Sequence, residues 1–572
     1  MPVCVRKWVG GVLAVLLVGV AACGDDGSDP ITAPPDLVSI SPTVGTSGTE
    51  VRIDGQGFDA TDVTVFFDDI ESPRVALEGG AAFALAPAGL TLGRTYDIRV
   101  VNRGAGSAVL DSVFTVVGPE ALRINGVSRP TGLRGMTVII EGAAFGDSLP
   151  LAQGNVFFRA GDGSAVAAPI LDANEDWNDS FIVTQVPQET ADTSLVWVET
   201  VTGASDSIEF RIIQSGVFSP SLINWTQTAS LPQPLQALGA VFVPIEDGPA
   251  PGNHVFTVGG ADTLDVATDA VYASTVQESG ELSGGWSMAT PLPAGRAYHT
   301  LVAATAFTAA LDTATTGGFL YVIGGVDAAG VAADDVWMAR VELDGSVGSW
   351  VPTSPLPRPL HSADATLFRG FMYLTGGADS ANAPTDAVHR VAIAEDGTLG
   401  AWESIGTLPG PRAHHAQIGF GPFLHVIGGD AGTVDPVAAG LSGTETAAVH
   451  FARISVRTGD LATGWTATES MAKARSKHSA IFGGGALFTT SGVYAGQPGS
   501  SENAFALLNN DGTTAPWNGA TGSEIIAAEI GISLYNQAAV TFLEGDGTGH
   551  VLVLGGASRD AEGQPSDAVV FY

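Results

Sequence analysis

Six times in the last 320 or so residues, an apolar run closes on a glycine pair or a near relative of one. The runs are VFTVGG (Gly259, Gly260), LYVIGG (Gly324, Gly325), MYLTGG (Gly376, Gly377), LHVIGG (Gly428, Gly429), LFTTSG (Ser491, Gly492) and LVLGG (Gly555, Gly556). A tryptophan recurs with them, at Trp225, Trp286, Trp350, Trp402, Trp465 and Trp517. Several of these tryptophans follow a turn of the Asp-Gly kind (LDGSVGSW, EDGTLGAW, NDGTTAPW), which favours a tight connection between paired strands. A unit with four strands, a glycine pair and a tryptophan at fixed offsets is the mark of a blade in a radial repeat. Six pairs and six tryptophans predict six blades over residues 217–572.

These residues resemble the kelch family, in which the glycine pair closes the second strand of a blade and the tryptophan lies on the outermost. The section opens on a tryptophan strand, LINWTQT, and ends on a third-strand pattern, DAVVFY. Trp225 is therefore expected to supply the missing outer strand of the last blade, which removes the free sheet edges.

The stretch before the repeat is also β-rich. Residues 36–118 alternate apolar and polar positions between Gly-rich turns, as a β-sandwich does. Ile40-Ser41-Pro42, Gly45, Gly48, Val51-Arg52-Ile53, Gly55, Gly57 and Phe58 resemble the IPT/TIG family of immunoglobulin-like domains. Residues 119–216 repeat the scheme with Pro130, Gly132, Gly135, Val138-Ile139-Ile140, Gly142 and Phe145, and depart from it by a longer middle near 159–180. The expected fold is all-β: two immunoglobulin-like β-sandwiches followed by a six-bladed kelch-type propeller.

The N-terminus supplies an address. Arg6 and Lys7 precede an apolar run, Trp8 to Ala22, shorter than the roughly 20 residues of a spanning helix. It ends in Val20-Ala21-Ala22-Cys23, which resembles the bacterial lipobox. The resemblance implies a signal peptide at 1–22, a diacylated Cys23 and a polar tether over 23–35. Gly24 rather than Asp after that cysteine points to the outer membrane. Paired acyl chains anchor stably where one does not. The only other cysteine, Cys4, leaves with the leader, so the mature chain can form no internal disulfide.

Composition excludes some functions. The net charge of −36 disfavours nucleic acid as a partner. Copper oxidases resembling galactose oxidase need a cysteine joined to a tyrosine, and 217–572 holds no cysteine. Sialic-acid mutarotases share the six-bladed form and need none. No paired carboxylates, Ser/His/Asp series or phosphate loop stands at convincing spacing. Neither cofactor nor metal is expected, and the chain is expected to be monomeric.

The histidines occupy repeating slots. His415 is aligned with His299, His361 and His478, and His425 with Tyr321 and Tyr373, so both read as packing residues. The series Arg296/His299, Arg358/His361, Arg412/His415 and Arg475/His478 faces either the channel or the adjacent blade, and recurrence favours the blade contact. Asp269, Asp334, Asp386, Asp567 and Glu502 read as strand-entry residues. Candidate binding residues are Arg296, Tyr298, Arg358, Arg412 and Arg475, with candidate recognition loops at 302–318, 430–446 and 543–549. The expected function is a non-enzymatic surface lipoprotein whose propeller binds carbohydrate or protein. The alternative is a carbohydrate-active enzyme, resembling sialic-acid mutarotases, that uses the central funnel.

Overall fold

The computed structural model describes residues 34–571 except 42, 46–47, 59–62, 79–80, 92, 103–104, 117–121, 129–130, 133, 147–153, 173–174, 213–224, 246–248, 278, 306–315, 434–443, 484, 495–502, 518–533, 544–548 and 559–563. The leader, Cys23, Pro130 and Glu502 lie outside the described residues. The chain divides into two compact units, at Pro119/Glu120.

The first unit is a two-sheet sandwich. One sheet contains Asp36–Ser41, Glu50–Gln56, Ala81–Leu85 and Val75–Glu78. The other is built on Thr95–Asn102 between Gly106–Val116 and Val63–Phe67. Thr95–Asn102 shows the period of two that sheets require: Tyr96, Ile98, Val100 and Asn102 point inward. Phe67 and Phe114 close the core edge to face, with ring centroids 5.2 Å apart.

The second unit holds another sandwich and the propeller. Its sandwich repeats a detail of the first: a two-residue strand pairs in parallel with the last strand. The pairs are Val44–Gly45 with Gly106–Val116 and Thr131–Gly132 with Ile208–Ile212. The long middle near 159–180 turns out to fasten the sandwich to the propeller. Trp177 fills the sandwich core and donates to the carbonyl of Phe145 at 3.0 Å. Its neighbours turn outward: Asp176 pairs with Arg453, Asn178 donates to the carbonyl of Val456 at 2.9 Å, and Arg453 also lies 3.7 Å from Asp172. From the propeller side, Arg369 reaches the same Val456 carbonyl at 2.6 Å and lies over Phe181.

The propeller has six blades. The inner strands are Gly239–Ile245, Thr300–Ala304, Asp364–Phe368, Ala416–Phe420, Ser479–Gly483 and Ala538–Leu543, and each neighbours the next around a closed circle. Thr226–Gln227 pairs antiparallel with Val569–Phe571, so the strand beside Trp225 completes blade six. Blade five shows three strands of its main sheet among the described residues.

Each glycine pair ends a second strand where the next blade comes closest. Gly259 and Gly260 have φ of 61° and 101°, and a Cβ on Gly259 would lie 2.3 Å from the carbonyl oxygen of Arg296. Tryptophan indoles clip the segment leaving the preceding blade. Trp286, Trp350, Trp402 and Trp517 donate to the carbonyls of Ala229, Thr290, Ser354 and Glu469 at 2.8–3.1 Å.

Connectivity separates the three candidate recognition loops. The stretches 302–318 and 543–549 join first to second strands, whereas 430–446 joins a second to a third. They therefore stand at opposite ends of the propeller, because successive strands in a blade are antiparallel. Their centres, 306–315, 544–548 and 434–443, lie outside the described residues.

Candidate functional site

One residue ahead of each inner strand adopts a left-handed backbone: Ala237, Tyr298, Ser362, His414, Lys477 and Asn536, with φ between 50° and 54°. The amide of each donates to the carbonyl of the residue before it around the axis. Tyr298 donates to Ala237 at 3.0 Å, Ser362 to Tyr298 at 2.8 Å, His414 to Ser362 at 2.9 Å, Lys477 to His414 at 3.0 Å and Asn536 to Lys477 at 3.0 Å. Ala237 donates to Asn536 at 2.8 Å and closes the circle. Nothing in these six residue types announces a shared conformation, so sequence reasoning missed the ring. Counting a fixed number of residues from Leu231, Leu292, Leu356, Leu408 and Met471 would have found five of its members. The amides of these residues all bond to the third-strand entry, at Asp567, Asp269, Asp334, Asp386 and Ala447.

That ruler also corrects the arginine–histidine series. Ser362, not His361, shares the ring position of Tyr298 and His414, so His361 and Arg358 each sit two residues ahead of the slots first assigned to them. Ala363 and Leu360 occupy those slots. His361 instead bonds the hydroxyl of Ser362 at 3.0 Å and the side chain of Asn382 at 3.1 Å.

The three histidines that share the slot point at the preceding blade, beneath its glycine pair. His415 bonds the Thr375 hydroxyl at 2.9 Å. His299 and His478 lie near Gly259 and Gly428, with neither ring nitrogen partnered. Burial holds His299 and His415 down at about 3. His425 donates to the carbonyl of Gly512 at 2.8 Å, as Tyr321 does to Gly397 and Tyr373 to Gly459 at 2.6 Å. These rings tie a second strand to the Asp-Gly turn of the following blade.

Tyr298, His414 and Asn536 come from alternate blades and meet over the axis. The Tyr298 and His414 rings are edge to face, with centroids 5.8 Å apart, and Asn536 Nδ2 lies 3.3 Å from the tyrosine hydroxyl. Below this cluster is an axial cavity of about 290 Å³, which Lys477, Ser362, Thr300, Asp364, Gln417 and Ser479 help to line. Asp364 is its one carboxylate among the described residues. Asp364 accepts the amides of Gln417 and Ala365, both at 2.8 Å, yet burial pushes it up to about 7. A carboxyl group poised near neutrality can hold or release a proton at working pH.

Of the candidate binding residues, Tyr298 reaches the axis. The arginines do not line the cavity. Arg296 holds both oxygens of Asp335 at 2.6 Å and lies 4.5 Å from the Trp337 ring centre. Arg412 donates to the carbonyl of Gly428 at 3.3 Å, and Arg475 to that of Ser491 at 3.2 Å. Arg358 is exposed. No group of three or more His, Cys, Asp or Glu side chains among the described residues is placed to hold a metal ion.

These features define a class: an immunoglobulin-like domain of the IPT/TIG kind joined to a kelch-type propeller. The sequence model of the IPT/TIG domain matches residues 35–116. Among curated proteins, the Kelch-like protein terF of Aspergillus terreus (strain NIH 2624 / FGSC A1156) is 24% identical over 184 residues, 31% of this chain. The match spans 37% of that relative's length. Among solved structures, that of YjhT aligns at 15% identity and a TM-score of 0.41, covering 60% of this chain and 96% of the other.

Proposed function

We propose that the chain is a monomeric, lipid-anchored protein of the bacterial outer membrane whose propeller binds a carbohydrate or protein ligand without turning it over. One observation supports the binding reading most. Trp286, Trp350, Trp402, Trp517, Tyr321, Tyr373 and His425 are engaged in blade-to-blade hydrogen bonds, while polar side chains that differ between blades, Tyr298, Ser362, His414, Lys477 and Asn536, gather at the axial cavity beside the recurring His299, His415 and His478. Its volume, about 290 Å³, falls at the small end of ligand sites. A sugar unit or one inserted side chain suits that size. Asp364 favours the second reading, a carbohydrate-active enzyme, because its proton is labile near pH 7.

A glycan array combined with mutarotation and hydrolysis assays on residues 24–572 separates the two. Binding with no turnover is expected, weakened about tenfold or more in Asp364→Asn, as for a hydrogen bond to a charged group. Turnover that Asp364→Asn abolishes while binding survives would establish the enzyme instead.

The anchor has its own test. Labelled palmitate should enter the wild-type protein in a bacterial host and be absent from Cys23→Ser, which should appear in the soluble fraction. Equal membrane association of the two proteins would refute the lipid anchor.

A further inference from the structure

The arginine slot is filled differently in different blades. Leu235 and Leu360 occupy it in blades one and three, and Arg296, Arg412 and Arg475 in two, four and five. In blade two the guanidinium meets a carboxylate on its own third strand: Asp335 gives both oxygens at 2.6 Å, and Trp337 lies beneath. The backbone frame is the same in blade four. Gly324 donates to the carbonyl of Asp335, and Gly428 to that of Ala448. The carboxylate position is thus an alanine in blade four, and His450 replaces the tryptophan.

Arg412 is only 5% exposed. No carboxylate lies within 4.0 Å of it among the described residues, and its Nε is buried without a partner. His450 Nδ1 is likewise buried and unpartnered. Ala448 and His450 themselves are only partly buried. A buried guanidinium without a counter-ion is costly, because desolvation is not offset by a paired charge. Burial accordingly draws Arg412 down from its usual value, and burial, with the charge of Arg412 adding to it, draws His450 down.

We propose that the Arg412–Ala448–His450 corner of blade four is a binding site for the carboxylate group of a small ligand, which takes the place that Asp335 holds in blade two. A planar carboxylate is the group of choice because it matches the guanidinium fork and because the sister blade uses one. The site is separate from the axial cavity, so its test does not depend on the cavity's ligand.

Acetate is the probe, with chloride at equal ionic strength as control, and thermal unfolding of residues 24–572 is the measurement. In the wild type, acetate at ten times its Kd should multiply the folded-to-unfolded ratio by about 11. Arg412→Leu, which copies Leu235 and Leu360, should fold and lose the response. Ala448→Asp, which copies Asp335, should raise Tm and also lose it. Asp335→Ala should acquire a second acetate response in blade two. No acetate effect beyond chloride in the wild type, or an effect that persists in both Arg412→Leu and Ala448→Asp, would overturn the proposal. Phosphate in place of acetate distinguishes a carboxylate site from a general anion site: a stronger response to phosphate also refutes the assignment.

Discussion

Lowering the pH from 6.5 to 4.5 is expected to destabilise the propeller, by on the order of several kcal/mol in all. Five imidazoles set the direction. His299, His415 and His425 are held at about 3, 3 and 4 against an ordinary 6.5, and His414 and His478 lie well below it, all chiefly through burial. The folded chain keeps these rings neutral, whereas the unfolded chain protonates them below pH 6.5. Acid therefore favours unfolding, by about 1.4 kcal/mol per ring per pH unit. Buried carboxyls oppose this, Glu141 among them, raised by burial. Asp364 at about 7 and Asp176 at about 6 carry protons in the folded state that the unfolded chain, near 3.8, releases. Their stabilising effect grows as pH falls through those values and levels off near 3.8. The lowered imidazoles, which include His389 and His450, outnumber the raised carboxyls, so the net effect of acid is loss of stability. Thermal unfolding across the range measures it, and a Tm that stays flat between pH 6.5 and 4.5 would refute the account. His425→Tyr should reduce the slope by one proton's worth, since Tyr321 and Tyr373 already make the equivalent bond without titrating in this range.

The second large effect concerns the joint between sandwich and propeller. Replacing Arg453 by Ala should cost about 3 kcal/mol at pH 7.5, because Asp176, 0% exposed, is left without its counter-ion. The upper end of the usual range for broken buried pairs is not expected. Burial already raises Asp176 to about 6 despite the arginine, so the orphaned group escapes by taking a proton. The double variant Arg453→Met/Asp176→Asn should recover most of the loss. Tm and protease cleavage within 159–180 are the measurements. A single variant as stable as the wild type, with that segment still protected, would show that the pair does not hold the joint. Val456, which accepts from both Asn178 and Arg369, would then have to carry it.

Much of this architecture was legible because each blade carries its own instructions. Gly259, Gly324, Gly376, Gly428 and Gly555 stand where the next blade's backbone comes within reach of a Cβ, and Ser491 holds the same left-handed backbone in blade five. Trp286, Trp350, Trp402 and Trp517 each donate to one carbonyl from the segment just before. The closing strand at Thr226–Gln227 followed from counting strands. The residues that make such contacts recur once per blade, and a recurring residue type is visible in a chain read linearly. The axial site was legible only in part. Tyr298 stood out, but Asp364 did not, since an aspartate at a strand start has an ordinary appearance until burial is known.

By itself, then, the sequence determined the β-class, the blade number, the recurring glycine and tryptophan positions and the closure of the circle, because all of these follow from a repeat. Tertiary structure alone decided that Arg358 and His361 lie outside the slots of their apparent partners, and that the insertions stand at opposite ends. It alone decided that six left-handed residues join amide to carbonyl around the axis, and that the middle of the second sandwich grips Arg453. The ring members share a position but no residue type, and Asp176 and Arg453 meet across a separation that nothing repeats, so neither contact is marked by residue identity until the chain is folded.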